Sequence, residues 1–342
     1  MNNRKTLQNR LRLLKNTKSA YRKFGVTSIK AKIRCFLPIR RLYYELGWEP
    51  YEYFQFEAEG KTSEELNSYI CKKEHGFMVR FFNKQDDIAF LQDKWKTYGR
   101  YGQFFHRQVL WSLNESNESL QSFFESHDRV ILKPVDGTFG IGVKVVQCSD
   151  YSQQIQKLYD EYPNGVLIEE LIQQDNVIGD MHKESVNTIR IYSITDGDEV
   201  VVFHPWLRIG RGHNVIDNAS AGGVGAAIDF ETGIIQTARD KRGHTFDRHP
   251  DTDQTIIGVQ IPQWNELKEM VREMALVNPQ LHYVGWDVAL STDGWVLVEG
   301  NPRAQIGFQI MERKGFRSHL ESILTLFNLK EDYYKSMSLV TD

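Results

Sequence analysis

At 342 residues, with 41% apolar residues and a formal net charge of −3, the chain can hold one large domain or two, each with an ample core. That charge excludes a whole-molecule nucleic-acid binder on electrostatic grounds, and three isolated cysteines, Cys35, Cys71 and Cys148, fit no disulfide framework or cysteine metal site. No apolar run approaches the length of a membrane span and residues 1–20 lack the apolar core of a secretory signal, so a cytoplasmic protein is expected.

The first predicted elements are basic. Residues 1–48 carry thirteen Lys and Arg against one Glu. Leu7, Leu11, Leu14 and Tyr21 recur at helical spacing, with Arg10, Lys15, Lys18 and Arg22 between them, which predicts one or two basic amphipathic helices. A packed helical lobe with a solvated basic face accounts for this pattern; the alternative is a weak contact with acidic membrane lipids or an anionic polymer. Residues 50–90 read as a helical connector, with a helix start at Ser63-Glu64-Glu65 and helix predicted over residues 64–73. Asp93-Lys94 opens a further helix.

Val130-Ile131-Leu132-Lys133-Pro134 is an apolar strand carrying one lysine, and a glycine loop with Gly137, Gly140 and Gly142 leads to a second strand over residues 143–146. A lysine among apolar neighbours needs a partner, for which phosphate serves well, and glycines let backbone N–H groups approach phosphate oxygens. An ordinary glycine-bearing hairpin has the same outward form. The protein-kinase arrangement is excluded because Lys133 precedes the glycines and no Asp-Phe-Gly follows. A phosphate loop ending at Gly60-Lys61-Thr62 is excluded because Gln55 stands where its first glycine belongs.

Residues 166–172 begin with a strand that ends at Glu169 and Glu170. Thr188-Ile189-Arg190-Ile191-Tyr192 alternates as a strand, with Arg190 on the face of Thr188 and Tyr192. The stretch holding Arg208, Arg211, His213, Asn218, Gly222 and Gly223 is too long for a hairpin turn and rich in cations, and reads as a loop facing anionic groups. His204, His244 and His249 lack a ligand spacing and are taken as structural or exposed. Residues 264–275 predict an amphipathic helix with a core face of Leu267, Met270, Val271 and Met274, and residues 319–327 a closing helix.

Between them, Gly285-Trp286-Asp287-Val288-Ala289 and Val296-Leu297-Val298-Glu299-Gly300-Asn301 read as two strands joined by the turn Ser291-Thr292-Asp293-Gly294. Glu299 and Asn301 share a face, and Asp287 can meet them across the ladder. Three hard oxygen ligands suit Mg²⁺, with Mn²⁺ as the alternative, and Mg²⁺ also requires phosphate oxygens and water. Metal-bound ATP is the first hypothesis; a surface hairpin with solvated acids is the alternative.

In this order (Asp93-Lys94, Lys133 with its glycines, the Glu169-Glu170 strand end, Arg190, Asp287, Glu299 and Asn301) the chain resembles the ATP-grasp superfamily. Val186-Asn187-Thr188-Ile189-Arg190, Asp217-Asn218-Ala219-Ser220-Ala221-Gly222-Gly223 and Glu299-Gly300-Asn301-Pro302-Arg303 make it most similar to the group associated with sugar transfer and cell-surface polysaccharide genes. The resemblance implies an α+β fold of ATP-grasp type, two α+β lobes holding ATP between them, over residues 89–330. A basic, mainly helical region and connector then occupies residues 1–88, and residues 331–342 form a C-terminal tail. It implies phosphate contacts from Lys94, with Lys96 as the substitute, from Lys133 and from the loop of Gly137, Gly140 and Gly142. A hinge at Glu169 and Glu170 would read adenine, and Asp175 would accept from the ribose hydroxyls. Asp287, Glu299 and Asn301 would hold Mg²⁺, while Arg190, Arg208 and Arg211 stabilise the moving γ-phosphoryl. His213, Asn218, Gly222, Gly223 and Arg303 would face an anionic second substrate.

Relatives usually begin with a small α/β domain, and no glycine-rich strand-to-helix turn precedes residue 90, so that contribution to the substrate pocket is not expected here. The implied activity is an ATP- and Mg²⁺-dependent carboxylate–amine ligase acting through an acyl phosphate on a small anionic, sugar or amino-acid substrate, in cell-surface polysaccharide or related precursor synthesis. A phosphotransferase with a hydroxyl acceptor and a non-catalytic nucleotide-binding module are the alternatives.

Overall fold

The basic, leucine-spaced start of the chain folds into two helices, α1 (Asn2–Lys23) and α2 (Ile29–Glu45). They open a computed structural model that describes residues 2–134, 142–152, 154–212 and 222–341. The chain forms two units: Met1–Phe82, Thr237–Phe246 and Gln305–Asp342 make the first, and Asn83–Gln236 and Asp247–Ala304 the second.

In the first unit, the turn between α1 and α2 is held by Tyr21 Oη donating to the Lys32 carbonyl at 2.6 Å, and Ser28 caps α2 by accepting from the Ala31 N–H. Leu13 and Tyr21 of α1 and Cys35, Ile39 and Leu42 of α2 turn inward onto Trp48, Phe56 and Tyr69. The helix expected over residues 64–73 is two helices. Ser63–Ser68 begins with a capping box between Thr62 and Glu65, and Lys72–Phe82 follows. Buried Gln309 explains the break: its side-chain amide accepts from the Ile70 N–H at 2.9 Å and donates to the Ile70 carbonyl at 3.0 Å, taking over the bonds a continuous helix would make. The expected closing helix spans Arg317–Leu326. Residues 331–342, read as a tail, lie almost wholly in a further helix, Lys330–Thr341, whose Tyr333 is fully buried against Phe77 and Phe81.

The second unit carries two antiparallel sheets. The smaller joins β1 (Val109–Trp111), β2 (Arg129–Pro134), β3 (Lys144–Gln147) and β4 (Val166–Glu170) in the order β1-β4-β2-β3. Among the described residues no strand precedes β1. The larger sheet joins β5 (Thr188–Thr195), β6 (Val200–Ile209), β7 (Val224–Ile228), β8 (Ile235–Arg239), β9 (Tyr283–Ser291) and β10 (Gly294–Asn301) in the order β10-β9-β5-β6-β7-β8. The chain passes from the second unit to the first within β8. β5 and β9 are buried along their whole length, as inner strands covered on both faces should be. The helix Trp264–Val277, with Leu267, Val271 and Met274 buried, contacts β5 and β6.

Candidate functional site

Two β-bulges bring the candidate residues into one row. From the turn, β9 and β10 pair Ser291 with Gly294 and run in step to Val288 opposite Leu297; Val298 is then extra, and Glu299 faces Asp287 and Asn301 faces Gly285. A ladder that stayed in step through Val298, pairing it with Asp287, would set Glu299 opposite Trp286, with its side chain on the other face. On the far side of β5, Tyr192 pairs with Phe203 but Arg190 with Trp206, so His204 and Pro205 together oppose Ile191. His204 takes φ +45°, and the proline, which has no N–H to give to a ladder, sits where none is needed. This second bulge puts Trp206 and Arg208 in phase with Thr188 and Arg190. Because Arg190 is also directly across from Asp287, Arg208, Arg190, Asp287 and Glu299 line one sheet face on β6, β5, β9 and β10.

The row is closely bonded. Arg190 grips Asp287 with two nitrogens: Nε donates to Oδ1, and Nη2 donates to Oδ2 at 2.6 Å. Arg208 Nη1 donates to the same Oδ2 at 2.8 Å. Asn301 Nδ2 donates to Glu299 Oε1 at 3.0 Å and lies 3.4 Å from Asp287 Oδ2. Burial alone would raise the Asp287 carboxyl, but the guanidiniums of Arg190 and Arg208 hold it at about 2. Glu299 moves the other way. Its side chain reaches solvent at its rim, yet desolvation by the protein around its carboxyl and the charge of Asp287 raise its proton affinity. Gly285 leaves room for this arrangement: a Cβ there would meet the Ala304 Cβ at 2.3 Å and the Arg190 Cδ at 3.1 Å.

Among the described residues no group of three or more His, Cys, Asp or Glu could hold a metal. The donor set at this row is instead two carboxylates and an amide, which fits a hard cation such as Mg²⁺. Turning the Asn301 amide over would offer its oxygen, and a cation beside Glu299 would offset the repulsion from Asp287. Two expectations are corrected. Arg208 lies inside β6 rather than in a loop, because the apolar run of residues 200–209 carries the strand past it. Arg190 is committed to Asp287 rather than standing open toward a phosphoryl group, because the register sets the two directly opposite.

A second charged cluster joins the smaller sheet to β10. Lys133 Nζ donates to Glu169 Oε2 at 2.8 Å, and Arg107 Nη2 donates to the same oxygen at 2.8 Å. Arg107 Nη1 also donates to the Leu297 carbonyl at 2.7 Å. Burial pushes the Glu169 carboxyl up, but Lys133 and Arg107 together bring it down to about 2. Sequence reasoning passed over Arg107; it precedes a three-residue strand and no periodicity marks it. Glu170 turns the other way, accepting from the Gln108 N–H at 2.6 Å and bonding His127 Nε2 at 2.9 Å. An open groove of about 470 Å³ runs along residues 170–173, with Phe105, Arg107 and Val296 in its lining.

The remaining candidates are dispersed. Lys94 begins the helix Lys94–Tyr101 and is half-buried, while Lys96 pairs with Asp93 at 3.3 Å. Asp175 caps the short helix Asn176–Gly179, accepting from the Val177 N–H at 2.8 Å, so that oxygen serves the backbone rather than standing open for a ribose. Arg211 lies 3.5 Å from Asp251, and exposed Arg303 donates to Gln85 at 3.0 Å; neither joins the Asp287 row. Gly142 and Gly222 take φ +79° and +98°, and buried Gly223 leads into β7. Gly137, Gly140, His213 and Asn218 lie outside the described residues.

Residues 210–212, which leave β6, are held by groups that sequence reasoning did not select. His182 Nε2 bonds the Gly212 carbonyl at 2.8 Å and its Nδ1 bonds Ser185 Oγ at 2.8 Å. His249 Nε2 bonds the Gly210 carbonyl at 2.9 Å, and the Asn187 side-chain carbonyl accepts from the Gly210 N–H at 3.1 Å. Burial lowers the proton affinity of His249, against the pull of that carbonyl. His182 gave no sequence signal because a single histidine between loops has no spacing to read.

The profile of the sugar-transfer associated ATP-grasp family matches residues 75–325, well over half of the chain, so the protein belongs to that family. Solved structures show a weaker likeness. One is the ATP-grasp ligase PsnB complexed with minimal precursor, at 16% identity over 72% of this chain and 64% of that one, with a TM-score of 0.44. Another is D-alanyl-alanine synthetase A from Vibrio cholerae, at 14% identity over 71% of this chain and 66% of that one, with a TM-score of 0.43. A third is N5-carboxyaminoimidazole synthase from Aspergillus clavatus, in complex with ADP and a ribonucleotide, at 12% identity over 70% and 52% of the two chains, with a TM-score of 0.42. The chain spans less than two thirds of the length of each. No curated protein matches it.

Proposed function

We propose that this ATP-grasp protein is an ATP- and Mg²⁺-dependent ligase that joins a carboxylate to an amine through an acyl phosphate, in the assembly of cell-surface polysaccharide or a related precursor. The observation that carries the reading is the row of Arg208, Arg190, Asp287 and Glu299 on one sheet face, with Asn301 beside it. Asp287, Glu299 and Asn301 would hold the cation, which would supply charge neutralisation for the triphosphate. Arg190 fixes the Asp287 carboxylate, and Arg208 keeps the site cationic for the triphosphate. Lys133 exchanges Glu169 for a phosphate oxygen when nucleotide enters, and Arg107 keeps Glu169 neutralised while it does. Adenine meets the backbone of residues 170–173 in the adjoining groove. An acceptor carboxylate oxygen attacks the γ-phosphorus and ADP leaves. The amine then attacks the acyl carbon, inorganic phosphate departs with the C–O electron pair, and the amine loses its proton. Because the reaction draws on ATP, we assign it to the cytoplasm. The decisive experiment measures ADP formation with Mg²⁺ or Mn²⁺ across mixed carboxylates and amines, and weighs the product. An amide mass with stoichiometric phosphate supports ligation; a stable phosphorylated hydroxyl compound overturns it in favour of a phosphotransferase.

A further inference from the structure

The two N-terminal helices expose apolar side chains in ordered stripes. On α1, Leu7, Leu11 and Leu14 stand at spacings of four and three residues and are 52–58% exposed. On α2, Ile29, Ile33 and Leu37 stand four apart and are 66–76% exposed. More than half of the large apolar side chains exposed among the described residues fall between Leu7 and Tyr44. These stripes are not a core left half-packed. Each helix already buries a different face, Leu13 and Tyr21 on α1 and Cys35, Ile39 and Leu42 on α2, in one shared cluster.

Cations surround the stripes. On α1, Lys18 and Arg22 continue the line of Leu7, Leu11 and Leu14 at helical spacing, and Lys15 lies beside it, all exposed. On α2, Arg40 continues the line of Ile29, Ile33 and Leu37, and Lys30 lies beside it. Ion pairs with Glu49, Glu59 and Glu45 take up Arg12, Arg34 and Arg41. Residues 1–48 carry thirteen cations and one anion, a net charge of +12, so the remaining residues carry −15 to reach the total of −3. Positive charge is therefore concentrated on the part of the chain that also exposes leucine and isoleucine.

We propose that α1 and α2 dock on the surface of an anionic phospholipid bilayer, the apolar stripes entering the acyl boundary while the lysines and arginines engage lipid phosphates. A soluble polyanion would read the cations and gain nothing from the exposed leucines, whereas a bilayer interface accommodates both. Neither helix is long and apolar enough to cross the membrane, so the contact lies in the interface plane. The inference is independent of the ligase reading and stands on the first unit alone.

Co-sedimentation of the full chain with vesicles tests it, using phosphatidylcholine alone and mixed with phosphatidylglycerol, at low and high salt. Binding to the anionic vesicles at low salt should exceed binding to neutral ones by at least ~10-fold and fall steeply with salt. The double variant Leu11→Glu with Ile33→Glu should bind anionic vesicles at least ~10-fold more weakly with its melting temperature unchanged, because both positions are exposed. Lys15→Gln with Lys18→Gln should remove much of the preference for anionic lipid. No binding to anionic vesicles at low salt overturns the proposal. So does wild-type binding by the Leu11→Glu, Ile33→Glu variant, which would reduce the contact to charge alone. A dimer dissociated by that variant, without vesicle binding, would assign the face to a second copy of the chain.

Discussion

Asp287 and Glu299 sit opposite one another in the ladder yet live in different electrostatic surroundings, and the difference can be measured. Asp287→Ala leaves buried Arg190 and half-buried Arg208 without that carboxylate, so it should cost about 3–5 kcal/mol of stability as well as ATP turnover. Glu299→Gln removes a carboxylate that Asp287 repels, so it should cost at least ~100-fold in turnover while thermal stability is unchanged or improved. An equal loss of melting temperature in both variants would mean that Glu299 is structural. The pH dependence has a definite sign. Glu169 and Asp287 are each held down to about 2 from ordinary values of 4.5 and 3.8, so the stability they contribute is present above those ordinary values and is lost as pH falls through them toward 2. Urea midpoints measured against pH should therefore drop on the acid side of pH 4.5, and Glu169→Gln should flatten part of that fall. Residue chemistry of this kind was half legible. Asp287, Glu299 and Arg190 announce themselves as charges inside apolar strands, but nothing local in the sequence says that Arg190 takes Asp287 as its partner 97 positions away.

At the scale of the element, Val298 decides whether the hairpin is a site. The sequence shows two strands and a turn, and from a plain ladder Glu299 and Asn301 would face away from Asp287; the single extra residue reverses that. A bulge of one residue leaves no periodic trace beyond a one-step phase slip, so the register that sets Glu299 opposite Asp287 was not visible in the sequence. Deleting Val298 makes Glu299 the residue after Leu297 and leaves it opposite Asp287 on an unbulged ladder, so strand content by circular dichroism should stay close to wild type and ATP turnover within ~10-fold of it. A ~100-fold loss of turnover after the deletion would show that the bulge itself, and not only the shared face, aims Glu299. The opposite failure of legibility is the helix expected over residues 64–73. Its propensity is real, but Gln309, some 240 residues away, takes the Ile70 backbone bonds and divides it.

Across the whole molecule, what was legible is what is local: helical periodicity in residues 1–48, alternating strands, and the ordered motifs that resemble an ATP-grasp protein. What was not legible is the assembly of the first unit from three separate stretches of chain, because its contacts join residues hundreds of positions apart. Arg317, for example, grips Glu74 at 2.6 and 2.7 Å and also bonds the Asn67 carbonyl. The helix Lys330–Thr341 belongs to this assembly through Tyr333, whose ring centroid lies 5.1 Å from that of Phe77 and 5.0 Å from that of Phe81. Its ring is core, but its hydroxyl is buried with no hydrogen-bond partner among the described residues. The two halves of this side chain therefore act in opposite directions. Tyr333→Ala should cost about 3–5 kcal/mol by leaving a cavity beside Phe77 and Phe81. Tyr333→Phe keeps the ring and removes an unsatisfied hydroxyl, so it should match wild type or gain about 1 kcal/mol. Urea unfolding ranks the three proteins, and limited proteolysis of Tyr333→Ala should cut first within residues 1–82 and 305–342. A Tyr333→Phe variant weaker than wild type would show that the hydroxyl has a partner, and an unaffected Tyr333→Ala variant would return residues 331–342 to the role of a dispensable tail.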